Sequence, residues 1–173
     1  LNKTQVIAAN DTHYITTAKG PYGLYANTGA QKWFYPTSMP LGNSPTVYKG
    51  VAYVGGFDNQ LHAINALTGA GIWKFMAGAG FDTNPLVLTI GTRDIVYAGN
   101  RDGYMYAVYA DTGTQAWRYK TGGPIHFSAA YQAPNIYFAS NDLSGYALNA
   151  ATGALAWKSA ALPSADGFQS WWP

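Results

Sequence analysis

The 173-residue sequence contains no cysteine and no glutamate. The first absence excludes disulfides, thiolate metal centres and cysteine nucleophiles. The second is less common. All eight acidic residues are aspartate, so any step needing a Glu base, acid or metal ligand is excluded from this stretch of chain. Charge of either sign is scarce, at 10% of residues, and the net charge of +2 is spread singly along the sequence. Nothing forms the clustered Lys/Arg face of a nucleic-acid binder, so no nucleic-acid partner is expected. No apolar run approaches the roughly 18–20 residues that cross a bilayer as a helix, so no transmembrane segment is expected. No window sustains a 3.6-residue apolar period, because glycine or proline interrupts every stretch long enough for a helix.

The residues that are abundant point the other way. Aromatics make up 16% of the chain and hydrophobic residues 48%, which is unlike a disordered segment and sufficient for a packed core. Low charge with many Tyr, Thr, Asn and Gly points to an extracytoplasmic protein: periplasmic, cell-surface or secreted.

One segment, Thr-Gly-x-x-x-Trp, occurs four times: Thr28–Trp33, Thr68–Trp73, Thr112–Trp117 and Thr152–Trp157. Its tryptophans are 40, 44 and 40 residues apart, a period that indicates stacked supersecondary units. Each unit holds four short runs rich in Tyr, Val, Ile, Phe and Trp. In the second unit these are Thr46-Val47-Tyr48, Val51-Ala52-Tyr53-Val54, Leu61-His62-Ala63-Ile64-Asn65 and Ile72-Trp73-Lys74-Phe75. Turns such as Asn100-Arg101-Asp102-Gly103 separate the runs, and Asn, Asp and Gly accept the left-handed backbone that tight hairpins need. Four strands in about 40 residues is the size of a β-propeller blade.

The sequence therefore predicts an all-β protein, a β-propeller of four-stranded antiparallel blades. The expected blades cover about residues 3–36, 44–77, 84–121 and 126–160, as one segment over 1–173. Residues 167–173, Gly-Phe-Gln-Ser-Trp-Trp-Pro, match the passages leading into earlier blades and read as the start of a fifth. About four blades of a seven- or eight-bladed ring are thus expected. An open half-ring exposes apolar terminal faces, so a protein partner, a second copy or the remaining blades should cover them.

The segments Ala63-x-Asn65-Ala66-x-Thr68-Gly69-x-x-x-Trp73 and Ala147-x-Asn149-Ala150-x-Thr152-Gly153-x-x-x-Trp157 resemble the repeats of the pyrroloquinoline-quinone-like (quinoprotein dehydrogenase-like and BamB-like) propellers. The resemblance runs over essentially the whole chain. It implies tryptophan docking, in which Trp33, Trp73, Trp117 and Trp157 pack on backbone near Gly29, Gly69, Gly113 and Gly153 of neighbouring blades. One departure stands out: the family usually has Asp two residues after the motif alanine, where Asn65, Tyr109 and Asn149 stand here.

The resemblance leaves two functions open. One is a non-catalytic interaction or structural scaffold without cofactor. The other is a fragment of a quinone-dependent alcohol or aldehyde dehydrogenase with PQQ and calcium. The family's enzyme site implies calcium held by Glu, Asn and Asp, a catalytic Asp and often adjacent cysteines. This chain offers no Glu, no Cys and no clustered carboxylates, so no catalytic or metal residue is assigned. For the scaffold, the loops leading into the innermost strands line one mouth of the channel. They carry Asn43, Ser44, Asp82, Asn84, His126, Gln169, Trp171 and Trp172, groups suited to a peptide backbone or a glycan. Alternatively, the amides cap strand ends and the Trp pair packs on a further blade. His13 and His62 have no partner at ligand spacing and are expected to pack or face solvent. Arg93-Asp94 and Arg101-Asp102 are expected at exposed turns.

Overall fold

The computed structural model of the protein describes residues 5–41 and 43–162. Gln169, Trp171, Trp172 and the expected fifth-blade start at 167–173 lie outside the described residues. Four antiparallel meanders follow one another along the chain, each a sheet with its strands in sequence order. The first comprises β1 (Ile7–Ala9), β2 (Thr12–Thr17), β3 (Gly20–Tyr25) and β4 (Gln31–Phe34). The second comprises β5 (Thr46–Tyr48), β6 (Val51–Gly55), β7 (Gln60–Asn65) and β8 (Gly71–Met76). The third comprises β9 (Leu86–Ile90), β10 (Arg93–Gly99), β11 (Tyr104–Tyr109) and β12 (Gln115–Lys120). The fourth comprises β13 (Ala130–Gln132), β14 (Asn135–Ala139), β15 (Gly145–Asn149) and β16 (Leu155–Lys158). No helix occurs among the described residues, so none is long and apolar enough to cross a membrane.

The hydrophobic cores lie between blades. One cluster joins Tyr14, Trp33 and Tyr35 of the first blade to Val54, Ile64 and Ala66 of the second. The next joins Tyr53, Leu61 and Ala63 to Val96, Tyr106 and Val108. The last joins Tyr97, Met105 and Trp117 to Ile136, Tyr146 and Leu148. This arrangement explains a departure from simple alternation. In β10, five successive residues from Ile95 to Gly99 are buried, because both faces of that sheet meet a neighbour. In β2 and β14, on the first and fourth blades, buried residues alternate with partly exposed ones, because the described residues cover only one face of each.

The Thr-Gly turn between the third and fourth strands is built from its own sequence. Asn65 Oδ1 accepts from the backbone N–H groups of Leu67 and Thr68, and Asn149 Oδ1 does the same for Ala151 and Thr152. An acceptor oxygen is all that position requires, so Asn serves there as Asp would. The motif glycines have φ of 69° to 74°, a left-handed conformation that costs any residue with a Cβ. Immediately beyond, each blade carries the same register shift, between Gly23/Leu24, Ala63/Ile64, Ala107/Val108 and Ala147/Leu148. That bulge sets each tryptophan opposite a small residue: Gly23, Ala63, Ala107 or Ala147.

Candidate functional site

Successive blades meet at three kinds of joint, each repeated along the chain. At the outer joint the indole of one blade lies on the Thr-Gly turn of the next. Trp33 Nε1 donates to the Ala66 carbonyl at 3.0 Å, Trp73 to Ala110 at 2.8 Å and Trp117 to Ala150 at 3.0 Å. A Cβ placed on Gly69, Gly113 or Gly153 would come within 2.6–2.8 Å of the ring carbons of Trp33, Trp73 or Trp117. Only glycine admits that approach. A tyrosine from the second strand supports each ring: Tyr14, Tyr53, Tyr97 and Tyr137 pack on their own blade's tryptophan, with centroids 5.7–6.0 Å apart. Tyr14 and Tyr97 donate to the same carbonyls, Ala66 and Ala150. Trp157 stands apart, being 48% exposed where Trp33 is 7% and Trp117 is 9% exposed. Gly29 has nothing within 4 Å of its Cβ position.

The middle joint was not visible as a unit in the sequence. Tyr35, two residues after Trp33, packs edge-on to His62 of the next blade, Phe75 packs on Tyr106, and Tyr119 packs on Tyr146. Each receiving ring is held by an aspartate four residues earlier. His62 Nε2 lies 3.1 Å from Asp58, Tyr106 OH donates to Asp102 at 2.7 Å, and Tyr146 OH donates to Asp142. The signal that could have revealed it is Asp-x-x-x-(His/Tyr), at 58/62, 102/106 and 142/146. His62 is fully buried, and its Nδ1 lies 3.4 Å from Tyr35 OH. Burial pushes the imidazole below its ordinary value, although Asp58 pulls the other way. The ring is therefore neutral at pH 7, with Nε2–H donating to Asp58 and Nδ1 accepting from Tyr35. Burial, helped by the bond to Asp102, pushes Tyr106 up to about 12, so its phenol stays a donor.

The inner joint surrounds the expected channel mouth. Gln5 N donates to Ser44 Oγ, Ser44 N to Asn84 Oδ1, and Asn84 N to Ser128 Oγ, at 2.6, 3.0 and 2.9 Å. These bonds run in one sense from blade to blade. Asn43 is buried; its amide donates to the carbonyls of Gly55 and Phe81 and accepts from Gly55 N. It is a backbone clamp and presents nothing to a ligand at the mouth, because its amide is taken up by three backbone groups, two on Gly55 and one on Phe81. Asp82 Oδ2 lies 2.6 Å from His126 Nδ1 and accepts from Arg101 Nε at 2.7 Å. Burial pushes the Asp82 carboxyl up, but hydrogen bonds from His126 and Arg101 outweigh it and hold the group below its usual range. The structure thus brings Asp82 and His126 together and sets Asn84 beside Ser44 and Ser128.

The charged pairs adjacent in sequence do not pair with each other. Arg93 reaches Asp111 at 2.7 Å, and Asp94 meets Lys49 of the preceding blade at 2.9 Å. Arg93 and Asp94 open β10 rather than occupying a turn. A cavity of about 760 Å³ opens at the opposite edge of the sheets, between the first two blades, lined by Asp11, Tyr25, Lys32 and Leu67. Asp11 is its one carboxylate. Among the described residues no three His, Cys, Asp or Glu side chains converge as a metal site.

Among the described residues, sixteen strands in four consecutive meanders, with an indole from one sheet laid on the Thr-Gly turn of the next, define a PQQ-like repeat propeller. The chain belongs to the family described as outer membrane protein assembly factor BamB, whose sequence profile matches residues 3–124 and 59–170. BamB from Moraxella catarrhalis superposes with a TM-score of 0.75 at 20% identity, over 91% of this chain and 48% of that one. The quinohemoprotein alcohol dehydrogenase ADHIIG from Pseudomonas putida HK5 superposes with 0.74 at 21% identity, over 90% and 33%. The computationally designed Ika8 protein gives 0.72 at 16% identity, over 89% and 48%. The chain therefore spans about half the length of BamB or less of the proteins it resembles. No curated protein is similar enough in sequence to match.

Proposed function

We propose that this chain is a non-catalytic, extracytoplasmic propeller segment acting as a rigid protein-interaction or structural scaffold, held by tryptophan docking. The observation that carries this reading is the employment of the mouth residues. Asn43, Asp82, Asn84 and His126 each bond across or between blades, so the polar groups best placed for chemistry hold the frame instead. A role of the kind named in the BamB family description agrees with such a frame.

The second reading, a fragment of a quinone-dependent alcohol dehydrogenase, is favoured by the likeness to ADHIIG. The donor set does not fit it. Calcium needs several converging hard oxygens, whereas the described aspartates lie apart, many bound to a tyrosine, histidine, lysine or arginine, and no glutamate exists in the sequence. Mixing the chain with PQQ and calcium should give neither a bound-quinone absorption spectrum nor alcohol-dependent dye reduction. Dye reduction above the protein-free control would sink the scaffold reading in favour of the enzyme.

A further inference from the structure

The seam between the second and third blades differs from its neighbours at the outer joint. Tyr14 and Tyr97 donate their hydroxyls to the Ala66 and Ala150 carbonyls, at 3.3 and 2.8 Å. Tyr53 holds the equivalent place, but the Ala110 carbonyl accepts from Trp73 instead. Tyr53 is only 3% exposed, and its hydroxyl has no hydrogen-bond partner among the described residues. Burial, with Asp94 adding to it, pushes this phenol up to about 12, so it remains a donor, and an unmet buried donor is costly. Tyr53 lines a cleft of about 290 Å³ on the edge of the sheets that carries the Thr-Gly turns, near the lower limit of small-molecule sites. Lys49, Arg93, Asp94 and Asp111 line it too. Residues 44–120, which include both blades that form it, are all described.

We infer that this cleft binds one neutral pyranose ring, either a free hexose or the end unit of a glycan. Its charges argue against an ion. Lys49 is already matched to Asp94 at 2.9 Å and Arg93 to Asp111 at 2.7 Å, so an incoming ion would exchange one exposed pair for another, a trade worth little. What the pairs leave over suits a hydroxyl. Arg93 spends only Nη2 on Asp111, Lys49 keeps a third N–H, and the carboxylates keep spare lone pairs. With the Tyr53 hydroxyl, donors and acceptors thus stand side by side. A sugar hydroxyl donates and accepts at once, so it serves both kinds without breaking either pair. A peptide backbone is sparser, with one donor and one acceptor per residue, roughly 3.8 Å from one Cα to the next. Val51, Ala110 and the Tyr48 ring supply an apolar wall for the C–H face of the sugar. The cleft stands apart from the scaffold role: dye reduction would overturn that role and leave the sugar site intact.

Amide NMR titrations of the protein test the site, with glucose, galactose and N-acetylglucosamine as probes. At least one should move the backbone amides of Lys49, Tyr53 and Arg93 saturably, with a millimolar Kd that high salt leaves unchanged. Tyr53→Phe keeps the ring against Trp73 and deletes a hydroxyl that the seam does not use, so the variant should stay folded. It should weaken the sugar response about tenfold. Tyr97→Phe removes a hydroxyl already given to Ala150 and should leave that response unaltered. The methyl glycoside of the sugar that binds separates the two sources, since equal binding assigns the site to a glycan end and loss assigns it to the free sugar. No saturable response to any of the three sugars would overturn the site. So would an undiminished response in Tyr53→Phe, or tighter binding of glucuronate, glucosamine or N-acetyl-trialanine amide.

Discussion

At the scale of single residues, the joints divide into groups that bear on stability and groups that bear on its pH dependence. Trp117 is buried, bonded to Ala150 and seated on Gly153, so Trp117→Ala leaves a cavity and removes one of the two hydrogen bonds to the Ala150 carbonyl. It should cost about 3–5 kcal/mol in urea unfolding, and a loss under about 1 kcal/mol would remove the indole from any docking role. His62 carries the pH dependence. Its folded-state value lies below the ordinary 6.5, so the unfolded chain takes up a proton that the folded one refuses. The contribution is full above about 6.5 and is lost as pH falls from there toward the folded value. Asp58, Tyr35 and Lys74 are the titratable groups facing it. In His62→Tyr, which copies Tyr106 and Tyr146, the denaturation midpoint should lose that slope on the acid side of neutrality. An unchanged slope would show that another group sets it.

At the scale of the strand, a shared pattern hides a local difference. Ala63, Ala107 and Ala147 face their tryptophans, and the first blade alone has glycine, Gly23. A substitution toward the repeat pattern, Gly23→Ala, would ordinarily gain stability through reduced chain entropy. Here an added Cβ falls 2.4 Å from Trp33 Cε2, so the ring must shift. The expected outcome is a loss of about 1–3 kcal/mol, read from the thermal midpoint. A gain would mean that the ring relocates freely.

This strand also shows what the sequence could and could not carry. The four-stranded units were legible because turn residues and tryptophans recur at fixed offsets. The partners of Asn43 were not: its place before an inner strand was readable, but its inward turn onto Gly55 and Phe81 depends on a neighbouring blade. The same holds for Tyr35 and His62, 27 residues apart and joined only by packing. Pairs within a blade follow local periodicity, whereas contacts between blades depend on how the sheets stack.

At the scale of the molecule, stability lies in the seams, because every core cluster contains residues of two adjacent blades. Such an array behaves as a one-dimensional stack, each unit held by its neighbours. Among the described residues the first and fourth blades are accordingly the least supported, as the alternating exposure of β2 and β14 already indicates. Hydrogen exchange should be slowest in β10 and β11, buried between two neighbours, and fastest in β1 and β16. Equal protection throughout would contradict nearest-neighbour support.

The one-way hydrogen-bond relay from Gln5 through Ser44 and Asn84 to Ser128 has a genetic consequence. Each link asks of its successor only a side-chain acceptor, supplied in turn by Ser44, Asn84 and Ser128. Copying or deleting one whole repeat therefore leaves the surviving links in register, and links made equally across 40 and 44 residues show that the relay also accommodates loops of different length. Such a protein is suited to evolve by whole-number additions, with its curvature, rather than its fold, absorbing the change.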